Sequence, residues 1–91
     1  MKESDVQKEI IDYLEEGGHY VIKTVRSNKV GVPDLVICTM DSGKFYAIEV
    51  KAKGKKKTVT VPQKFHLDLI KKTGGKAFVA DCLWDVIEAG L

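Results

Sequence analysis

Apolar residues recur at helical spacing early in the chain. Val6, Ile10, Tyr13 and Leu14 share one face between about Glu3 and Glu16, and Gly17-Gly18 supplies a stop. The period then changes. Tyr20 to Arg26 is rich in β-branched residues and predicts a strand, whereas Ser27 to Val32 is polar, contains Gly31 and predicts a loop. Pro33 suits the opening of a strand but not the middle of a central one, so a short apolar strand is expected over Leu35 to Thr39. Asp41-Ser42-Gly43 signals a hairpin, and Lys44 to Lys51 forms the returning strand. Beyond Gly54 and a run of lysines, Val61 to Thr73 predicts a second helix with Phe65, Leu67, Leu69 and Ile70 as its apolar residues. Gly74-Gly75 ends it. Lys76 to Cys82 reads as a fourth strand and Trp84 to Gly90 as a short helix. The order is α-β-β-β-α-β, an α/β fold with a mixed sheet flanked by helices.

A chain of 91 residues is expected to form a single small domain, residues 1–91. Its 44% hydrophobic and 31% charged residues support a packed core and exclude disorder. No apolar run approaches the thickness of a bilayer, and the opening MKESDVQKEI is charged and periodic, unlike a signal peptide. An intracellular, cytoplasmic protein with no membrane contact is therefore expected. Cys38 and Cys82 lack metal-ligand spacing and sit in apolar runs, so both are expected to be buried free thiols.

The net charge of +2 conceals a strong segregation. Residues 1–19 carry two lysines against six acids (−4), residues 77–91 three acids and no base (−3), and residues 20–76 thirteen bases against four acids (+9). The positive charge is densest in Lys51, Lys53, Lys55, Lys56 and Lys57. A polyanion partner accounts for this, as does a solvated lysine loop.

Strand alternation places Phe45, Ala47, Glu49 and Lys51 on one face of the third strand, with Tyr46, Ile48 and Val50 on the other; Asp34, Val36 and Cys38 share a face of the preceding strand. A two-residue turn at Asp41-Ser42 sets Asp34 opposite Glu49. A turn at Ser42-Gly43 sets it opposite Lys51, with Glu49 diagonal, and a three-residue loop without a bulge turns Asp34 to the other side. Two neighbouring carboxylates suit a hard divalent cation, and a lysine beside them suits orienting or deprotonating a water on it. That combination fits metal-assisted hydrolysis of a phosphodiester. The bland alternative is a surface salt bridge between Glu49 and Lys51.

The ordered set of motifs resembles the PD-(D/E)XK nuclease superfamily, and most closely its VRR-NUC branch. It comprises E-x-x-V-Q opening the first helix, V-R-S after the first strand, G-V-P-D, I-E-V-K, and the glutamine of VPQKF at the start of the second helix. The resemblance implies a restriction-endonuclease-like αβββαβ core. It implies Asp34, Glu49 and the Val50 carbonyl as ligands of Mg²⁺ or Mn²⁺, Lys51 positioning the attacking water, and Gln63 supporting the site. Glu3 fits the helix-one acid and shares a face with Val6, Gln7 and Ile10. Its competitor Glu9 lies with Asp5 and Glu16 on the side expected to be solvated.

Arg26, Ser27 and Lys29, just before Pro33-Asp34, are placed to hold a DNA phosphate, although Arg26 has an alternative partner in an acid of the first helix. Lys53, Lys55, Lys56 and Lys57 form a candidate phosphate clamp, with Thr58 and Thr60 as further hydroxyl donors. His19 and His66 lack a ligand constellation and read as a solvated loop residue and a packing residue. Phe45, Tyr46, Phe65, Phe78 and Trp84 are expected in the core. Leu83, Trp84, Val86, Ile87 and Leu91 make a carboxy-terminal apolar patch suited to a dimer. The resemblance thus implies a structure-selective DNA endonuclease acting on branched or duplex DNA and on no small-molecule substrate, first of all a homodimeric four-way-junction resolvase in a bacterial or phage-infected cell. A flap or nicking enzyme, or a silent DNA- or helicase-binding module, are the alternatives.

Overall fold

The computed structural model describes all 91 residues. Its elements are α1 (Glu3–Glu16), β1 (Tyr20–Lys23), β2 (Leu35–Cys38), β3 (Phe45–Val50), a 3₁₀ turn at Lys56–Thr58, α2 (Val61–Lys72), β4 (Lys76–Ala80) and α3 (Leu83–Glu88). The helix expected at the amino end is found to the residue, while every strand is shorter than its apolar run. The sheet has the order β1-β2-β3-β4. β1, β2 and β3 are antiparallel, and β4 joins β3 in parallel after the crossover through α2, as a β-α-β connection requires.

Alternation along the strands sends side chains into two layers. Leu35, Ile37, Tyr46, Ile48, Val50 and Ala80 meet Val6, Ile10 and Leu14 of α1 and Val86 of α3. On the opposite face, Ala47 and Ala77 pack beneath Leu67 of α2, with Val59, Ile70 and Val79 around them. α2 lies over β3 and β4, so this second face is covered on one half only. On the β1–β2 half Tyr20, Ile22 and Cys38 remain exposed and Val36 half-buried.

That uneven cover corrects several expectations from pattern alone. Phe45, Phe65 and Trp84 are exposed, and of the five aromatics expected in the core only Tyr46 is fully buried there, Phe78 packing at its edge. Cys38 is exposed and Cys82 half-buried, neither a buried thiol. The carboxy-terminal patch is largely spent inside the chain: Val86 is buried and Leu83 and Leu91 pack against the same core, leaving Trp84 and Ile87 outside. His19 is no idle loop residue, because its Nδ1 accepts the Met40 N–H at 3.0 Å and ties the β2–β3 hairpin to the end of α1.

Candidate active site on the half-covered face

The β2–β3 register places Leu35 opposite Ile48 and Cys38 opposite Phe45, so Asp34 extends the ladder opposite Glu49. This is the first of the two registers expected. The loop is longer than the expected two residues: Thr39 N–H bonds the Lys44 carbonyl at 2.9 Å, and Met40 to Gly43 lie between them. Adding two residues to a loop preserves the facing of every side chain, so Asp34 stays on the Glu49 side. Asp41 takes φ 69° within this loop.

Asp34 is fixed from two directions. Its carbonyl accepts the Thr24 N–H at 2.8 Å, and its carboxylate Oδ2 accepts the Val50 N–H at 2.8 Å. Glu49 is 4% exposed and Lys51 8%, with Lys51 Nζ 3.8 Å from the Glu49 carboxylate. A surface salt bridge does not describe this pair, since neither partner reaches the surface to any extent. Burial pushes the Glu49 carboxyl up to about 8, reinforced by the Asp34 charge and by a hydrogen bond that the protonated Glu49 donates to Asp34; Lys51 opposes the rise, and Glu3 adds slightly to it. With both carboxylates ionised, one lysine leaves them under-compensated. A divalent cation held by Asp34 and Glu49 would supply the missing positive charge, and an all-oxygen donor set would suit Mg²⁺ or Mn²⁺.

Lys51 is aimed by Gln63. Its Nζ donates to Gln63 Oε1 at 2.9 Å, and the same oxygen accepts the Thr60 N–H at 2.9 Å. Thr60 Oγ1 in turn accepts the Gln63 N–H, completing a reciprocal cap on α2. The Thr-Val-Pro-Gln string carries that cap in the sequence, where Thr60 reads as a phosphate donor or an ordinary loop residue; its hydroxyl oxygen is the helix cap and its proton is not used by that bond.

Gly31 sits at φ +86°, and a Cβ there would lie 2.7 Å from the Pro62 carbonyl carbon and 2.9 Å from the Gln63 nitrogen. The absent side chain lets the Asp34 loop rest on the first turn of α2, which joins the Asp34 and Lys51–Gln63 halves of the site. Gly31→Ala is expected to cost about 2 kcal/mol, from left-handed backbone and overlap together. The melting temperature and the cleavage rate should fall together; an unchanged melting temperature would show that the loop yields freely.

The other candidates divide. Arg26, Ser27 and Lys29 line a polar cleft of about 220 Å³ that ends on Asp34. Arg26 takes part in none of the four ion pairs of the chain, so an acid of α1 does not claim it. Glu3 is exposed, at the amino end of α1, and its charge is felt at Glu49; Glu9 lines a surface hollow with Asp5, Lys8 and Asp12. Lys53, Lys55, Lys56 and Lys57 are all exposed, and of the four Lys56 alone makes an ion pair, its Nζ bonding Asp85 at 2.7 Å. The Asp81–Cys82–Asp85 group to which that contact belongs is local in sequence, but the Gly54 N–H and Lys56 it holds lie 27 and 29 residues away, and that pairing carries no sequence signal.

The VRR-NUC domain family matches residues 2–84. The chain is also similar to a solved VRR_NUC domain at 26% identity, covering 97% of this chain and 92% of the other with a TM-score of 0.76. A second structure, a VRR_NUC domain protein, shares the fold at 24% identity and a TM-score of 0.77, covering 98% of this chain and 84% of the other. No curated protein matches.

Proposed function

The chain belongs to the VRR-NUC domain family, with its nuclease-type fold, and on that premise we propose that it hydrolyses DNA phosphodiesters with Mg²⁺ or Mn²⁺. The observation that carries the reading is the group of half-buried Asp34 with buried Glu49 and Lys51 on one sheet face, Gln63 locking the lysine. Asp34 and Glu49, with the Val50 carbonyl, would hold the cation, and Glu3 would contribute from α1. When bound, the cation supplies Lewis-acid stabilisation of charge on the phosphate.

The residues of the chain do the rest. The ammonium of Lys51 orients the attacking water against phosphorus, and Gln63 Oε1 keeps that ammonium from swinging toward solvent. The water oxygen forms the new bond to phosphorus as the bond to the bridging oxygen breaks; the water gives up one proton to bulk solvent and the leaving oxygen takes one up from it. Arg26, Ser27 and Lys29 on one side, and Lys53, Lys55 and Lys57 on the other, neutralise neighbouring phosphates without reading sequence.

The preferred substrate in this reading is a four-way junction cut by a homodimer. A second copy brings a second site and a two-fold axis that suits a symmetric branch. The uncovered half of the α2 face, with Tyr20, Ile22, Phe65 and Leu69 exposed, offers the apolar surface for it, in place of the carboxy-terminal patch. The test is cleavage of end-labelled four-way junction, flap and linear duplex with Mg²⁺ or Mn²⁺, alongside the solution mass. Paired, symmetric junction cuts by a dimer are expected. Cuts confined to flaps would keep the chemistry and discard the resolvase. DNA binding without metal-dependent cutting would leave a silent binding module.

A further inference from the structure

Behind the lysine-rich loop lies a cluster of acids that the proposed chemistry does not use. Asp81 follows β4, and its Oδ2 accepts the Gly54 N–H at 2.9 Å. Asp85, in the first turn of α3, accepts Lys56 Nζ on Oδ1 at 2.7 Å, and on Oδ2 the Asp81 N–H at 3.1 Å and the Cys82 thiol at 3.5 Å. Both Asp85 oxygens and one of Asp81 are therefore already engaged by donors, which describes a clamp and not a cation site. The loop is also held at its entry, where Lys51 N–H bonds the Ala80 carbonyl at 2.9 Å and Lys53 N–H the Met1 carbonyl at 3.3 Å. A loop with lysines at 53, 55, 56 and 57 repels itself. Two carboxylates beneath it offset that repulsion and set one geometry.

Building on the nuclease reading above, we propose that Asp81 and Asp85 are positioning residues for DNA: they fix the loop so that Lys53, Lys55 and Lys57 stay free for phosphates while Lys56 is withdrawn as a strut. The Asp85 side chain is 14% exposed and that of Lys56 45%, so the pair is anchored on its Asp85 side, where both carboxylate oxygens are engaged. The hydrogen bond to Asp85 also raises the pKa of Lys56 above its ordinary value. One of the three Lys56 N–H donors is spent on Asp85, whose carboxylate also offsets the ammonium charge, so Lys56 offers a phosphate less than its three neighbours do. Three fixed cations instead meet the backbone already ordered, which lowers the cost of binding.

The sign of one mutation separates strut from contact. DNA affinity is measured by fluorescence anisotropy over a range of salt for the wild type, Asp85→Asn, Lys56→Met, the double variant and Lys57→Met, each checked for its melting temperature. As a strut, Lys56→Met weakens binding by about three- to tenfold without changing the salt slope. Asp85→Asn weakens it similarly, and the double variant is no worse than the weaker single one. Lys57→Met, a contact, lowers the slope by about one ion. Tighter binding by Asp85→Asn, a slope reduced by about one ion in Lys56→Met, or no change in either would overturn the proposal. Lys56→Met leaves the Asp81–Asp85 bonds in place, so it decides the matter even if Asp85→Asn disturbs α3. Failure of the wild type to bind DNA at all would instead bring down the nuclease reading and this inference with it.

Discussion

Asp34→Asn lowers metal-dependent cleavage by about three orders of magnitude or more in the expected outcome, with no loss of metal-free stability. The amide keeps an oxygen for the Val50 N–H, which Asp34 now holds at 2.8 Å, so the ladder beside the site has no reason to open. What disappears is one of two carboxylate charges that a divalent cation needs. The same charge raises the Glu49 carboxyl in the metal-free protein, so above about pH 8, where Glu49 ionises, its removal also relieves a repulsion. Activity and stability should thus part company: single-turnover rates collapse while the melting temperature holds or rises. A variant retaining more than about a tenth of wild-type activity would remove Asp34 from the cation site. A large drop in melting temperature would recast it as a structural residue.

The second large effect is a pH dependence of the metal-free fold. The Glu49 carboxyl sits at about 8 when folded against an ordinary value of 4.5. Between those values the folded protein retains a proton that the unfolded chain has released. Stability therefore falls as pH rises through the window, is unaffected by this group below it, and reaches its floor above about pH 8. Between about pH 5 and about pH 8 the change is up to about 4 kcal/mol, or a melting temperature lower by roughly 15–25 °C. Millimolar Mg²⁺ or Mn²⁺ should recover most of this at about pH 8 and little at about pH 5, where the proton holds the site. Glu49→Gln should flatten the metal-free profile. Thermal melts across the window, with and without the ion, measure all of this, and a flat or rising metal-free profile would show that Glu49 is ionised throughout. Asp85 acts only on the acid side. Burial would raise its carboxyl, but the Lys56 ammonium and the Asp81 N–H outweigh that and hold it below its ordinary value, so its contribution is lost only as pH falls.

Elements whose signal is local were legible in the sequence. The α1 boundaries follow from one apolar stripe and a glycine stop, and the αβββαβ order follows from the change of period. The facing of Asp34 and Glu49 was narrowed to two registers by parity, and the structure adopts one of them with a longer loop. What could not be read was which faces acquire a neighbour. Phe45 and Phe65 look like core residues by spacing, yet both stay exposed, Phe45 at the first position of β3 and Phe65 on α2 in a surface hollow with Val30. Cys38 is exposed because α2 covers only β3 and β4. The Lys56–Asp85 contact spans 29 residues with no shared motif, and the raised Glu49 carboxyl depends on burial that no strand pattern encodes.

The oxygen of Gln63 that receives both the Lys51 ammonium and the Thr60 N–H makes the onset of a helix and the pose of a lysine a single cooperative unit. Helix ends ordinarily fray on their own, faster than the body of a protein moves. Here the opening turn of α2 cannot loosen without disturbing the lysine, and Gly31 leaves it little room to rotate. Amide exchange at Gln63 would therefore track the lifetime of the ordered Lys51, so that local breathing at the rim of the fold sets how often the centre is ready to react.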